Sequence, residues 1–246
     1  MKIASSALSD IGRVRRENQD SSGHFPDRNL FVVADGMGGH KGGKQASEMA
    51  VATIEERCVA APEGADLEAR ISQLVEAIRD ANRRIVERGS RDDDLSRMGT
   101  TLVALLLDGL GKGAVAHVGD SRAYRLRGDD LELLTVDHTV VADLLRQNEI
   151  SEAEASAHPY RHVLTRALGA AREVTADVQH LELRPGDLYV LCSDGVSGML
   201  SEEAIKVILT AHHDDPQTVC RELIAAANQA GGKDNATAIA VVCAPE

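Results

Sequence analysis

Residues 30–40 read LFVVADGMGGH, and three further stretches repeat its logic: AVAHVGDSRAY at 114–124, YVLCSDGVSG at 189–198 and GGKDNATAIAVV at 231–242. Each sets an aspartate, Asp35, Asp120, Asp194 or Asp234, at one end of a short apolar run rich in Val, Leu and Ile. Runs of this length and composition, bounded by Gly or Asp, read as core strands, and a fifth lies at 101–107. The predicted strands are therefore 30–34, 101–107, 114–118, 188–192 and 236–242. A different period governs 67–86, where Leu67, Ile71, Leu74, Ile78 and Ile85 recur at helical spacing, and the same pattern returns at 201–211 and 216–230. A further helix is read near 44–60.

The order of these elements is strand, two long helices, several consecutive strands, more helices and a closing strand. Strict strand–helix alternation is the mark of a parallel doubly wound sheet, and it is missing here. The expected class is α+β with antiparallel sheets. With 246 residues and no compositional break, one domain spanning 1–246 is expected. Segment 146–166 is polar and carries a weak helical pattern with His158 and Pro159, as a surface insertion over a site would. Hydrophobic residues make up 43% of the chain, but with two Phe, three Tyr and no Trp the core must be aliphatic.

Composition also excludes some functions. A formal charge of −12 argues against general binding to nucleic acid, because such affinity rests on clustered Lys and Arg. The short basic stretch Arg13, Val14, Arg15, Arg16 suits a single phosphate rather than a polyanion. No run approaches the length of a membrane span, and the N-terminal MKIASSALSD lacks the apolar stretch of a signal peptide. Cys58, Cys192, Cys220 and Cys243 are widely spaced, without CxxC pairs. A reduced cytoplasmic setting is expected.

Any one of the aspartates has a plain explanation, since Asp-Gly is a favoured turn dipeptide after a strand. Together they ask for more, because carboxylates gathered at one sheet edge repel unless cations neutralise them. Oxygen-only ligation selects hard cations such as Mg²⁺ or Mn²⁺. Gly36 leaves its own carbonyl free to approach such an ion. Two cations sharing Asp35 would acidify a bridging water and clamp the oxygens of an in-line displacement. An anionic substrate would also need a cationic contact, for which Arg15 is the first candidate and Arg13 or Arg16 would serve on chemistry alone.

Read in order, GRVRRENQD at 12–20, VVADGMGGH at 32–40, GTTLVALLL at 99–107, AHVGDSRAYRLR at 116–127, LTVDHT at 134–139, CSDGVSGMLS at 192–201 and GGKDNATAIAV at 231–241 resemble the metal-dependent protein phosphatases of the 2C type in their bacterial form. The resemblance spans almost the whole chain. It implies a four-layer α-β-β-α sandwich of two antiparallel sheets flanked by helix pairs, with a metal cluster at one sheet end. It implies that Asp35 bridges two core ions, that Gly36 gives one of them a backbone oxygen, and that Asp194 and Asp234 complete the second ion's protein ligands. Asp120, with Asp194, is similar to the ligands of a weaker third ion. Arg15 matches the phosphate-binding arginine, Asp20 an acid that organises metal-bound water, and Asn235 the companion of Asp234. The flap is expected at about 146–166.

The same resemblance implies hydrolysis of phosphoserine and phosphothreonine in proteins by direct attack of a metal-bridging hydroxide. The implied partners are phosphoproteins, with a Ser/Thr kinase and its targets among them, and a monomer is expected. The chain departs from the pattern in three places. Met37 stands where eukaryotic relatives carry the histidine proposed as general acid; His40 is either its stand-in or a structural histidine. Gln19 replaces an acidic residue, and Asn148 and His162 stand where many bacterial flaps have Gly and Asn.

Two other readings compete. GGHKGGK at 38–44 has the spacing of a nucleotide-binding P-loop, but Gln45 follows where a Ser or Thr hydroxyl is needed. A catalytically dead phosphoprotein-binding module would most cheaply arise by loss of an aspartate, and Asp35, Asp120, Asp194 and Asp234 are all present.

Overall fold

Two antiparallel sheets stack face to face, with a pair of helices covering each outer face. The structure is a computed structural model that describes residues 1–38, 42–59 and 66–245. In chain order the strands are β1 (Lys2–Asp10), β2 (Asp20–Phe25), β3 (Leu30–Met37), β4 (Gly99–Thr100), β5 (Leu102–Leu107), β6 (Lys112–Val118), β7 (Arg122–Arg127), β8 (Asp130–Leu133), β9 (Asp177–Glu182), β10 (Leu188–Cys192) and β11 (Ala236–Ala244). The helices are α1 (Gly42–Ile54), α2 (Leu67–Gly89), α3 (Val140–Arg146), α4 (Glu152–Ala157), α5 (Asp194–Ser197), α6 (Glu202–Ala211) and α7 (Pro216–Gln229). One sheet runs β1-β11-β10-β7-β8, the other β2-β3-β5-β6-β9, with β4 on β3. This is the expected α+β sandwich.

Strand periodicity builds the layers. Side chains alternate between faces, so a strand buried on both sides divides its residues between two cores. Leu30 and Val32 of β3 pack with Ala46, Ala50 and Ile54 of α1 and Ile71, Leu74, Ile78 and Ile85 of α2. Phe31 and Val33, one residue out of phase, enter the space between the sheets with Val103, Leu105, Tyr189, Leu191, Ile239 and Val241. On the far side Val190, Cys192, Ala238 and Ala240 meet Ile205, Leu209, Val219 and Leu223 of α6 and α7. These continuous apolar runs are unreadable as alternating amphipathic strands because neither face is wet.

Local chemistry sets the helix ends. Asp66, Thr139, Ser151, Ser201 and Asp215 each cap a helix by accepting backbone N–H groups, and Ser151 forms a reciprocal capping box with Glu154. The helix read at 44–60 starts earlier, at Gly42, and relaxes into a π turn at Glu55–Val59; residue 60 lies outside the described residues. The strands absent from the sequence reading are β1, β2, β4, β7, β8 and β9. Their half-exposed sequences, such as KIASSALSD and RAYRLR, carry Ser, Arg and Asp on the solvated side and lack a long apolar run.

Segment 146–166 holds the short α4 and is tied at both ends. Val140 N–H donates to Val163 O (2.9 Å) and Thr165 N–H to His138 O (2.8 Å), with a bridge between Thr139 and Leu164.

Candidate active site

Antiparallel pairing sets Asp20, the first residue of β2, directly opposite Asp35 near the end of β3. Like charges on facing positions are unfavourable, so this register carries a cost that something else must offset. The Asp35 backbone is pinned from three sides: its N–H donates to Thr101 Oγ1 (3.0 Å), while its carbonyl accepts Thr101 N–H and Thr100 Oγ1, each at 2.9 Å. Thr101 Oγ1 in turn contacts Ser121 Oγ at 2.6 Å, linking the Asp35 strand to the turn that carries Asp120.

Asp120 lies in that turn between β6 and β7, where the chain passes from one sheet to the other. Gly119 before it has φ +106° and presses against Thr101, a conformation and a space that suit glycine. Asp194 begins α5 immediately after β10, and Asp234 precedes β11. Gly36 is equally confined: a Cβ there would stand 2.2 Å from Gly43 O and 2.6 Å from Gln19 O. The start of α1 is thereby held against the Asp35 strand.

Asn235 binds the loops around the site together. Its Oδ1 accepts Gln19 N–H (2.8 Å), and its Nδ2 donates to Ile11 O (2.9 Å) and Glu17 O (3.0 Å). The basic loop between these last two residues brings Arg15 to Asp234, Nη2 to Oδ2 at 2.5 Å. Arg15 remains half exposed and faces the acidic cluster from its rim.

The electrostatics are those of an anionic nest. Burial, then the charges of Asp20, Asp194 and Asp120, push Asp35 well above the ordinary carboxylate range. Burial raises Asp20 to about 6 despite hydroxyl hydrogen bonds from Thr237 and Ser193, with Asp194 and Asp234 adding to the rise. Asp120 is pushed up to about 7, first by burial and then by Asp194 and Asp137. Asp194 rises through burial and the charge of Asp234, while Asp35, His162 of the flap and Arg15 oppose the rise. Among the described residues Asp20 Oδ1 is buried without a protein partner. A buried carboxylate cluster with a free oxygen and, among the described residues, no counter-charge at its centre fits hard divalent cations, which bind oxygen and neutralise several carboxylates at once.

A second group, His117, His138 and Asp177, brings potential ligand atoms within 4.8 Å of one another. Its hydrogen bonds give it a different role. His138 Nδ1 accepts Gly119 N–H (3.1 Å), so the ring proton sits on Nε2, which faces Asp177 Oδ2 at 3.2 Å. His117 Nε2 bonds Val136 O (2.9 Å), and the two rings stack at 4.7 Å. The nitrogen of His138 nearest the carboxylate thus has no lone pair for a cation. This group braces the Gly119 turn.

The structure brings Asp20, Asp35, Asp120, Asp194, Asp234 and Arg15 to one sheet end, with Gly36 beside Asp35. His40 lies outside the described residues. Sequence reasoning missed Ser193, Thr237, Thr101 and Ser121, whose hydroxyls hold the carboxylate-bearing strands. The available signal was position: Ser193 adjoins Asp194 and Thr237 follows Asp234 by three residues, each a polar side chain at the edge of an apolar run. Lys44 of the P-loop-like stretch pairs with Glu17 at 3.8 Å and stands in an antiparallel context, unlike the parallel sheet on which phosphate-cradling loops are built.

Comparison with known proteins follows the same direction. The protein-family model described as Protein phosphatase 2C matches residues 13–230. The serine/threonine phosphatase stp of Listeria innocua is 37% identical over 235 residues, covering 94% of this chain and 92% of that protein. The solved Mycobacterium tuberculosis serine/threonine phosphatase PstP/Ppp superposes with a TM-score of 0.90 at 36% identity, over 99% of both chains. A structure of the PstP catalytic domain in complex with two manganese ions gives 0.88 at 35% identity, again over 99% of both.

Proposed function

The chain belongs to the protein phosphatase 2C family, and from that premise we propose that it is a divalent-metal-dependent phosphatase that hydrolyses phosphoserine and phosphothreonine in proteins. The observation that carries the reading is the register that opposes Asp20 to Asp35 within a buried ring of further aspartates, an arrangement whose repulsion cations relieve. Asp35, Asp194 and Asp234, with the Gly36 carbonyl, would hold two core ions; Asp120 with Asp194 would hold a weaker third. Mn²⁺ and Mg²⁺ both suit this all-oxygen set.

The chemistry that bound divalent cations supply in such a setting is Lewis acidity toward phosphoryl oxygens and the acidification of water to a nucleophile near neutral pH. The chain's own residues do the rest. Arg15, at the rim, offers a planar pair of N–H donors to the phosphoryl oxygens and orients the group for in-line displacement. The ion pair with Asp234 holds the Arg15 guanidinium beside the cluster. Asp20 Oδ1, buried among the carboxylates, would accept a hydrogen bond from water at the site and orient it. Cys192 is no alternative nucleophile: it is buried and its thiol is pushed up to about 12, mainly by burial. In this reading hydrolysis is direct, without a phosphoenzyme intermediate. The proton that the leaving alkoxide requires is assigned to no described residue, and His40 is the candidate among the residues outside them.

The flap at 146–166, rooted at Thr139 and Thr165, brings the charge of His162 to bear on Asp194 and would shape the choice of protein substrate. Residues 1–246 act as one catalytic unit in this reading, as a monomer in the cytoplasm, opposing a Ser/Thr kinase by acting on it and its targets. Among the described residues no helix is long and apolar enough to cross a membrane.

The test compares phosphoserine, phosphothreonine and phosphotyrosine peptides as substrates for the wild type and Asp35→Asn. Turnover of the first two, absent in the variant, supports the reading. Turnover that survives Asp35→Asn, or that is confined to phosphotyrosine, refutes it.

A further inference from the structure

Asp20 divides its two oxygens between the halves of the sandwich. Oδ2 accepts two hydroxyl groups from the opposite sheet, Ser193 Oγ and Thr237 Oγ1, each at 2.7 Å. Oδ1 is buried and, among the described residues, bonded to no protein atom. Both hydroxyl residues are themselves fully buried.

Proton counting orients the network beyond these two bonds. A hydroxyl carries one proton. Thr237 gives its proton to Asp20, so in its 2.7 Å contact with Ser9 Oγ, its cross-strand partner, Ser9 must be the donor. Ser9 Oγ then accepts from Asn18 Nδ2 at 2.8 Å, and Asn18 Oδ1 accepts the Asp20 backbone N–H at 3.1 Å, which closes the ring. Ser193 is constrained in the same way: it donates to Asp20 and accepts Thr237 N–H at 3.0 Å, while its own N–H goes to Thr237 O at 3.1 Å. Two hydroxyl protons thus end on Asp20 Oδ2, and the third, from Ser9, ends on Thr237 Oγ1 behind it.

We propose that Thr237 and Ser193, with Ser9 behind Thr237, are positioning residues that lock the Asp20 carboxylate in one orientation, leaving Oδ1 as the oxygen presented to the cation-binding cluster. The inference rests on the metal-dependent reading above. The network commits Oδ2 to the β10–β11 side, so rotation of the carboxylate would break two charge-assisted hydrogen bonds at once. It also explains why two fully buried hydroxyls stand beside the aspartate motifs, at positions where their apolar neighbours form the core. Outer partners of this kind orient the groups that face a metal and tune its affinity.

Calorimetric titration of metal-stripped protein with Mn²⁺ tests the proposal, using the wild type, Thr237→Val, Thr237→Ser, Ser193→Ala and Ser9→Ala. Thr237→Val keeps the shape and removes the donor, whereas Thr237→Ser keeps the donor. The expected result is a loss of Mn²⁺ affinity of roughly 10- to 100-fold in Thr237→Val and Ser193→Ala. Thr237→Ser should bind as the wild type does, and Ser9→Ala should show a smaller loss in the same direction. In phosphopeptide assays the Mn²⁺ concentration for half-maximal rate should rise while KM for the peptide holds. A merely structural role would instead lower the urea midpoint of the variants without moving Mn²⁺ affinity, and that outcome overturns the proposal. Failure of the wild type to bind Mn²⁺ would instead bring down the functional reading beneath it.

Discussion

Neutralising Asp120 should stabilise the metal-free protein and should do so only above mildly acidic pH. Asp120 stands at about 7 in the fold against an ordinary 3.8, first because it is buried and then because Asp194 and Asp137 are near. The sign follows from linkage. Below pH 3.8 the group is protonated whether folded or unfolded, and it contributes nothing. Between 3.8 and 7 the folded chain keeps a proton that the unfolded chain has released, so the wild type loses stability as pH rises, and above 7 the loss is complete. At ~1.4 kcal/mol for each tenfold change in proton affinity, the full effect is about 4 kcal/mol, and about 2 kcal/mol if the neighbouring carboxylates relax. Asp120→Asn removes the charge and keeps the shape. For a chain of this size the variant should melt roughly 5 to 10 °C above the wild type in chelator at pH 8. The two should converge near pH 4. With no Trp in the chain, far-UV circular dichroism is the suitable probe. A variant that melts no higher than the wild type at pH 8, or a difference that does not depend on pH, would refute the argument that the cluster is held together against its own charge.

Three other perturbations have defined outcomes. Gly36→Ala places a methyl 2.2 Å from Gly43 O, with backbone on both sides that cannot yield; it should cost about 1 to 3 kcal/mol in thermal unfolding and most of the phosphatase activity, because the Asp35 strand must shift. Arg127→Ala strips the fully buried Asp187 of its two 2.7 Å guanidinium bonds; urea unfolding should report a loss of about 3 to 5 kcal/mol, while kcat measured well below the melting range stays unchanged. Arg15→Ala should lower kcat/KM for a phosphothreonine peptide by roughly 10- to 100-fold, the worth of a hydrogen bond to a charged group, and an unaltered kcat/KM would remove Arg15 from substrate binding.

Much of the fold was legible because the central strands are buried on both faces. Strands 30–34, 188–192 and 236–242 appear as nearly continuous apolar runs, LFVVA, LYVLC and ATAIAVV, and the structure places all three inside their sheets rather than at an edge. Edge strands were not legible for the converse reason. In β9, DVQHLE, Leu181 alone is buried, so nothing distinguishes the strand from a loop. The aspartates were visible because each terminates an apolar run. The hydroxyl groups that aim Asp20 were not, since Ser193 and Thr237 lie 173 and 217 residues from Asp20 and Ser9 reaches Thr237 only when β1 pairs with β11. Nor could the sequence reveal that Asp20 faces Asp35, because that opposition depends on the register of β2 on β3. A shift of one residue would turn Asp20 away from the cluster.

The most direct test of the central claim is phosphate release from a phosphothreonine peptide by chelator-stripped protein as Mn²⁺ is returned. The account predicts no release before Mn²⁺ is added, saturable recovery as it is titrated, and no recovery in Asp35→Asn. Undiminished release from the stripped wild type, or a folded wild type that stays inactive at saturating Mn²⁺ and Mg²⁺, would contradict it.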